Sequence, residues 1–322
     1  MYNTVIIDGN HMAHRARHTF NLSYRGKDVS TLYGVMRMLT AILNKYKPNS
    51  MIVAWDGGVP EFRRKLLPSY KANRSHDNDD TFESFIGQLK ELSSILPKCG
   101  VTQLRRVGIE GDDLAFHASR MLPCDQKALI ISGDDDLLQA VNPCNHVLQP
   151  GKTELLVTLD NIGEVTGLNP DKVVSQLLYN VVKTLAGDSS DNITGIVGVG
   201  LKTAAKIVNG GMWQYNGVCV VPEELDEKWF TKVFDYVESG LYERTFKVVD
   251  LTHDRAGARY EVLRSKWQQC NIQSFNAWLM RWGFASLLTM GAATAFARLQ
   301  QPKLWLGDIK IPLIWSYQRY PC

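Results

Sequence analysis

The sequence predicts an α/β domain with a central, mainly parallel β-sheet flanked by helices. Three short apolar runs, each followed closely by an aspartate, carry this prediction: residues 5–7 with Asp8, 51–55 with Asp56, and 129–131 with Asp134. Runs this apolar are typical of strands buried on both faces, as in parallel sheets. Helical patterns lie between the runs, and strands that alternate with helices indicate an α/β fold.

The helical patterns follow the strands in order along the chain. Apolar residues recur at helical spacing over 32–43 and again over 82–96. Asp80 and Glu83 form a capping box, which predicts that the second of these helices begins near residue 80. A glycine-rich segment occupies residues 195–200, and the chain beyond it is predicted to be mostly helical, including 224–239 and 274–299.

The composition is that of a soluble globular protein. The 322 residues are 45% apolar and include eight Trp, which is enough for a packed core. The net charge of +3 is small, so any nucleic-acid-binding surface must be local. Six cysteines are scattered without paired spacing, which favours reduced thiols over a zinc or disulfide framework. With no signal peptide and no apolar stretch of membrane length, we expect a cytoplasmic protein.

Acidic residues gather where a parallel sheet places its ligand site, beyond the carboxyl ends of the strands. Each acidic cluster alone is also what a helix cap or a turn would require. Together, carboxylates at one sheet edge repel one another unless cations neutralise them. Oxygen ligands select hard ions, Mg²⁺ with Mn²⁺ as a substitute, over zinc. The nine carboxylates are Asp8, Asp56, Glu110, Asp112, Asp113, Asp134, Asp136, Asp188 and Asp191.

Paired spacing within these clusters supports a two-metal site. Glu110 and Asp113 are three residues apart at a predicted helix start and would share one face, and Asp188 and Asp191 have the same spacing. Two ions about 4 Å apart activate a water and stabilise the leaving oxygen in phosphodiester hydrolysis. The acidic residues therefore predict a metal-dependent phosphodiesterase.

Seven motifs, in this order, resemble the 5′-nuclease (flap endonuclease) superfamily, especially bacterial and bacteriophage 5′→3′ exonucleases and the nuclease domain of DNA polymerase I. They are VIIDGN (5–10), AWDGG (54–58), FRRKLLPSYKANR (62–74), GIEGDDLA (108–115), ISGDDDLL (131–138), GDSSDNITGIVGVGLKTAAKIV (187–208) and FKVVDLT (246–252). The resemblance implies two metal sites. Asp8, Asp56, Glu110, Asp112 and Asp134 would surround the first ion. Asp113, Asp136, Asp188 and Asp191 would serve the second, and Asp135 would be a surface residue.

A basic segment follows Asp56 and contains Arg63, Arg64, Lys65, Lys71 and Arg74. Such a segment is often a solvated loop, but cations beside a metal cluster attract the phosphate that the acids would repel. The resemblance makes it the base of a helical arch over residues 60–98, through which a 5′ single strand passes. Arg63 and Arg64 would then bind DNA, Lys71 and Arg74 would contact the scissile phosphate, and Tyr70 would stack on a base.

The glycine-rich segment is not a P-loop, because its lysine is displaced by one residue from the required position and no strand precedes it. A helix–hairpin–helix is the better interpretation, with one helix ending near Asn192 and another over 202–208. The resemblance implies that this element grips duplex DNA without sequence preference, with a K⁺ ion as a further candidate at the hairpin carbonyls. Its DNA-binding residues would be Gly195, Gly198, Gly200, Lys202, Thr203 and Lys206.

The predicted organisation is a nuclease domain over 1–180, a helix–hairpin–helix region over 181–255 and an extension of unknown role over 256–322. The predicted function is hydrolysis of DNA, or of an RNA primer, near a 5′ end, leaving a 5′ phosphate and a 3′ hydroxyl. A PIN-type ribonuclease and a catalytically silent branched-DNA-binding protein are the alternatives. Expected partners of the monomer are DNA with 5′ ends, flaps or branches, RNA–DNA hybrid, and a separate polymerase or single-strand-binding protein.

Overall fold

A computed structural model describes residues 1–74, 80–123, 125–169, 176–215, 218–221, 225–252, 267–302 and 304. Its strands are β1 (Thr4–Asp8), β2 (Ser23–Tyr24), β3 (Lys27–Asp28), β4 (Ser50–Trp55), β5 (Thr102–Arg105), β6 (Ala128–Ile131), β7 (Asn145–Gln149), β8 (Leu155–Val157), β9 (Gly187–Asp188), β10 (Ile193–Thr194), β11 (Trp213–Tyr215) and β12 (Val218–Val220).

The helices alternate with the strands in the first half of the chain and dominate the second half. They are α1 (Gly9–Thr19), α2 (Ser30–Tyr46), α3 (Glu61–Leu66), α4 (Asp80–Ile95), α5 (Gly111–Arg120), α6 (Ile162–Thr166), α7 (Gln176–Ala186), α8 (Leu201–Asn209), α9 (Glu227–Glu238), α10 (Leu241–Val249), α11 (Ile272–Arg281), α12 (Ala285–Thr289) and α13 (Ala292–Ala297). Short 3₁₀ helices span Leu96–Cys99 and Asp135–Ala140.

Six strands form the central sheet in the order β5-β4-β1-β6-β7-β8, and all neighbours are parallel except β7 and β8. Alternate residues of β1 enter two different apolar clusters, Ile6 on one face and Val5 and Ile7 on the other. Both faces are therefore buried, which is why the three predicted strands are apolar throughout. The predicted α/β fold with its mainly parallel sheet is confirmed.

Two helical layers cover the sheet. Helices α1, α2 and α4 pack on the face that carries Val5 and Ile7. Helices α5, α7 and α8 pack on the face that carries Ile6. The helix predicted over 32–43 corresponds to α2, and α4 begins at Asp80, where the capping box predicts a start. The predicted helix over 224–239 corresponds to α9, although Glu224 lies outside the described residues.

The C-terminal residues 267–299 pack on the face of the sheet that α2 and α4 cover. Phe275, Leu279 and Phe296 are buried there, and the indole N–H groups of Trp278 and Trp282 donate to Glu91 Oε1 at 2.7 and 3.3 Å. The region predicted to be mostly helical over 274–299 is so, but it consists of three helices. Glycines with φ near +70°, at positions 283 and 291, divide it into α11, α12 and α13. The remainder of the predicted extension, 256–266 and most of 303–322, lies outside the described residues.

No helix in the described ranges combines the length and apolar character that a membrane span requires.

Candidate metal centre and nucleic-acid interface

The carboxyl ends of β1 and β4 each present an aspartate that the local fold holds in place. Asp8 ends β1 and caps α1, and its carboxylate accepts from His11 N at 3.0 Å and from Ser132 Oγ at 2.8 Å. Asp56 follows β4 and accepts from Gly111 N at 2.7 Å. The next residue must be glycine, because a Cβ at Gly57 would lie 1.5 Å from the Arg106 carbonyl oxygen. Backbone packing therefore places both carboxylates at the same edge as the start of α5.

Two groups of acids at this edge have the geometry of metal sites. Carboxylate oxygens of Glu110, Asp112 and Asp113 lie within 4.8 Å of one another, and so do those of Asp112, Asp134 and Asp136. Asp112 belongs to both groups, and its pKa is raised well above the ordinary range by burial and by the charge of Asp113. These groups differ from the division between two ions that the resemblance implies. Their all-oxygen donor sets fit hard divalent ions.

Arg63 lies inside this cluster. Its side chain is 2% exposed and donates to Glu110, to Asp113 at 2.9 Å and to the Val248 carbonyl at 3.1 Å. Burial favours the neutral guanidine, but the charges of Asp113 and Asp112 outweigh it and raise the pKa of Arg63. In this structure α3 turns the Arg63 side chain inward, whereas Arg64 is exposed, and DNA contact through Arg63 stays a prediction.

Tyr70 is also buried. It is 2% exposed, and its hydroxyl donates to Glu110 at 2.8 Å and lies 3.2 Å from Asp191 Oδ2. Burial raises its pKa, so the phenol stays protonated and serves as a donor. The Tyr70 ring is almost fully buried in this conformation, so its stacking on a base stays a prediction that requires the ring to become exposed.

Lys71 and Arg74 reach the same carboxylates from the chain that follows α3. Lys71 pairs with Glu110 and lies 3.4 Å from Asp191, and Arg74 pairs with Asp191 at 2.8 Å. The backbone fixes this approach, since Lys71 N donates to the Asp191 carbonyl at 2.8 Å. Two predicted phosphate-contacting cations therefore lie directly against predicted metal ligands.

Lys183 is a site residue that sequence reasoning missed. It is 5% exposed, and its ammonium lies 2.9 Å from both Asp136 Oδ1 and Asp188 Oδ2. Burial alone would lower its pKa, but the charge of Asp136 outweighs that effect and raises it, while Asp188 is held at a pKa of about 2 despite its own burial. The available signal was that Lys183 is the only charged residue in the apolar helix α7.

The late aspartate pair lies on a loop. Helix α7 ends at Ala186, so the prediction of a helix ending near Asn192 is wrong, as is a shared helix face for Asp188 and Asp191. Gly187 adopts φ +72° and begins a two-residue antiparallel pairing between β9 and β10. Asn192, with φ +56°, donates from its side chain to the Ser69 carbonyl at 2.8 Å, which joins this loop to the basic segment.

A glycine-rich turn connects β10 to α8. Gly195 packs against the end of α7, where a Cβ would lie 2.4 Å from the Leu185 carbonyl oxygen. Gly198 has φ +82°, and Val197 before it is 82% exposed. Lys202 and Lys206 are exposed on one face of α8, and Thr203 is half-buried between them. The predicted second helix over 202–208 lies within α8.

A cleft of about 460 Å³ extends from the carboxylates to the start of α8. Asp8, Asp134, Lys183 and Asp188 line it, together with His11 and Leu201, the first residue of α8. His11 Nδ1 lies 3.4 Å from Gly133 N, and neither acidic group within the described residues includes a histidine. The cleft is therefore bounded by acids at the sheet edge and by the start of α8.

Residues 3–177 match the family model described as 5′-3′ exonuclease, N-terminal resolvase-like domain. The chain is 33% identical over 209 residues to a 5′-3′ exonuclease of Buchnera aphidicola, covering 64% of this chain and 69% of that protein. It is 35% identical over 212 residues to DNA polymerase I of Mycobacterium bovis, covering 63% of this chain but only 22% of the polymerase.

A solved structure of the bacteriophage T5 flap endonuclease, in a complex with DNA and metal ions, has a similar fold. The TM-score is 0.64 at 21% sequence identity, and the match covers 87% of this chain and 98% of the phage protein.

Proposed function

The chain belongs to the 5′-3′ exonuclease family, and we propose that it is a divalent-metal-dependent nuclease that hydrolyses DNA near a 5′ end. The observation that carries the proposal is the connected acidic network at the sheet edge. Ser132 Oγ donates to the Asp8 carboxylate and accepts from the backbone N–H of Asp134, and the Lys183 ammonium joins the carboxylates of Asp136 and Asp188. Such a concentration of acids suits hard cations and disfavours a protein that only binds polyanionic DNA.

We propose two Mg²⁺ ions, replaceable by Mn²⁺, at the two acidic groups that share Asp112. Bound there, two ions would supply an ionised water and stabilise the leaving oxygen, which yields a 5′ phosphate and a 3′ hydroxyl. Asp8, Asp56, Asp188 and Asp191 complete the nine proposed ligands, some of them through water. The division of the nine between the ions is itself part of the proposal.

We propose that the substrate phosphate also contacts the cations of the basic segment. Lys71 and Arg74 lie against Glu110 and Asp191, so a phosphodiester held at these carboxylates by the proposed ions would lie beside both cations. We propose that they transfer part of their hydrogen bonding from carboxylate to phosphate and stabilise charge that develops in the transition state. Arg64, exposed on α3, would add an electrostatic contact farther along the strand.

The second helix of the proposed helix–hairpin–helix would hold the duplex. The glycine turn lets the backbone approach a phosphate, and Lys202, Thr203 and Lys206 extend the contact along α8. Because such binding works through phosphates, it is independent of base sequence and weakens steeply with salt.

The proposed substrates are DNA flaps, branches and 5′ ends, with RNA–DNA hybrid as a second substrate class. The T5 protein was solved with DNA and metal ions, and the polymerase I of M. bovis is a far longer protein than the matched region. We propose a monomer that acts in the cytoplasm of a bacterial cell or a phage-infected host, with a polymerase or a single-strand-binding protein as a partner.

The test is a 5′-flap duplex labelled separately at each end and incubated with Mg²⁺ or with EDTA. Asp134→Asn should abolish the Mg²⁺-dependent release of short 5′-labelled products. Asp135→Asn is the matched control, because Asp135 belongs to neither acidic group and its carboxylate accepts a hydrogen bond from Gln149 at 2.6 Å. Preferential cleavage of an all-RNA substrate would favour the ribonuclease alternative. Tight binding without cleavage in Mg²⁺ or Mn²⁺ would favour the silent DNA-binding protein.

A further inference from the structure

The carbonyl of Val197, at the tip of the glycine turn, already carries a cation. The left-handed φ of +82° at Gly198 turns the chain there, and Lys232 Nζ of α9 donates to the Val197 oxygen at 3.0 Å. The same ammonium lies 5.6 Å from the centre of the Trp229 ring, one turn earlier on α9. Two contacts of different kinds therefore hold one positive charge at the turn.

A cation at this carbonyl would favour DNA binding if the turn faces DNA. A carbonyl oxygen that points outward carries partial negative charge and would repel a nearby phosphate. This repulsion would oppose the attraction between the phosphate and the N-terminus of α8. Either a solution cation or a protein side chain can neutralise that oxygen. The side chain has the advantage that its ammonium is covalently attached and therefore does not have to be recruited from solution.

We propose that Lys232 supplies the cation of the glycine turn, in place of an alkali-metal ion, and so keeps the turn in the form that binds duplex phosphates. This inference rests on the proposed duplex binding by the turn and α8. It assigns to α9 a part in DNA binding and puts a side-chain cation in the role expected of K⁺, because the Lys232 ammonium already donates to a carbonyl of the turn.

Lys228 provides a matched comparison. It lies one turn before Lys232 on α9, and its ammonium is 4.9 Å from the same Trp229 ring. Within the described residues its ammonium makes no hydrogen bond to the glycine turn. Removing either lysine subtracts one positive charge from the same surface, but only Lys232 contacts the Val197 oxygen. A difference between the two variants therefore isolates the carbonyl contact from the general effect of charge.

The experiment measures binding of a fluorescent duplex in EDTA, at one ionic strength, in LiCl, NaCl and KCl. We expect the wild type to bind equally in the three salts. Lys232→Gln should bind roughly tenfold more weakly in LiCl, since the loss of one charged hydrogen bond changes affinity by about that factor. It should regain affinity in KCl, because K⁺ can take the place of the ammonium at the carbonyl. The affinity of Lys228→Gln for the duplex should fall by the same small factor in every salt.

Amide hydrogen exchange of residues 195–200 without DNA gives a readout that does not require binding. Lys232→Gln should speed exchange in LiCl more than in KCl, and Lys228→Gln should leave it unchanged. If both variants behave alike in exchange and in salt response, or if the wild type itself requires K⁺, the assignment of Lys232 is wrong. If Lys232→Gln shows the K⁺-dependent exchange but the wild type does not bind duplex DNA, the inference about the turn stands and the proposed binding function fails.

Discussion

The carboxylate cluster and the glycine turn differ in where their cations lie. In the cluster, cations such as Arg63 and Lys183 are buried within the fold and paired with acids. At the turn, Lys202 and Lys206 are exposed, and Val197 projects into solvent. Buried pairs organise a site and stabilise the fold around it, whereas exposed cations remain free to meet a polyanion. The difference predicts that the proposed catalysis and the proposed duplex binding can be separated by mutation.

The largest expected effect is on stability, at Arg63. Arg63→Met should lower the free energy of unfolding by about 3–5 kcal/mol, because it removes the buried cation that pairs with both Glu110 and Asp113. Arg64→Met, one residue along α3 and exposed, should change it by less than about 0.5 kcal/mol. Urea denaturation in EDTA measures both. Equal values for the two variants would mean that Arg63 does not support the cluster.

Lys183 should combine a stability effect with a metal effect. Lys183→Met should destabilise the metal-free protein by about 3 kcal/mol, because Asp136 and Asp188 lose their shared ammonium. Mg²⁺ should then raise the melting temperature of the variant more than that of the wild type, since the ion replaces the lost charge. The exposed Lys152→Met is the control. A variant whose response to Mg²⁺ is no larger than that of the wild type would remove Lys183 from the metal centre.

Lys71 should affect the rate of cleavage rather than binding. Lys71→Ala should lower the single-turnover rate by about 100-fold, because a charge that faces the developing negative charge is lost. The dissociation constant for flap DNA in Ca²⁺ should change by less than about threefold. Lys65→Ala is the control, because Lys65 is exposed and pairs with Glu61 on α3. Equal losses in rate and binding would make Lys71 a docking residue.

The smallest of these effects belongs to the exposed lysines of α8. Lys202→Ala and Lys206→Ala should each weaken duplex binding by roughly tenfold and lower the slope of log affinity against log salt by about 1. The cleavage rate at saturating DNA should stay within about twofold of the wild type. A titration from low to high salt measures the slope. A loss of cleavage at saturation would break the proposed separation of the two regions.

Sequence periodicity predicted the sheet and the position of its acids, because strand ends and helix starts are local features of the chain. It did not predict which way charged side chains point. Arg63 and Arg64 are adjacent, but about 100° of helix rotation separates them, so one is buried and the other exposed. The sequence shows that both are basic, and only the packing of α3 on α10 distinguishes them.

Lys183 and the end of α7 are two further features that the sequence did not predict. From the sequence, a single lysine in an apolar helix is expected at the surface. In the structure, Lys183 is instead paired with Asp188 on the loop that follows α7. The helix stops at Ala186 because Gly187 takes a left-handed φ, and a glycine in a sequence permits that conformation without requiring it. Residues 267–299 carry no chemical motif, and their place against α2 follows from long-range packing alone.

Asp112 offers the most direct test of the central claim, that the acidic cluster performs the chemistry and the exposed basic surfaces bind DNA. Cleavage of a 5′-flap duplex in Mg²⁺ and its dissociation constant would be measured for the wild type, Asp112→Asn and the control Asp135→Asn. We predict that Asp112→Asn cleaves at least about 1000-fold more slowly, since both acidic groups lose their shared ligand, while its dissociation constant stays within about threefold. Near-normal cleavage by Asp112→Asn, or a loss of binding that parallels the loss of cleavage, would contradict the account.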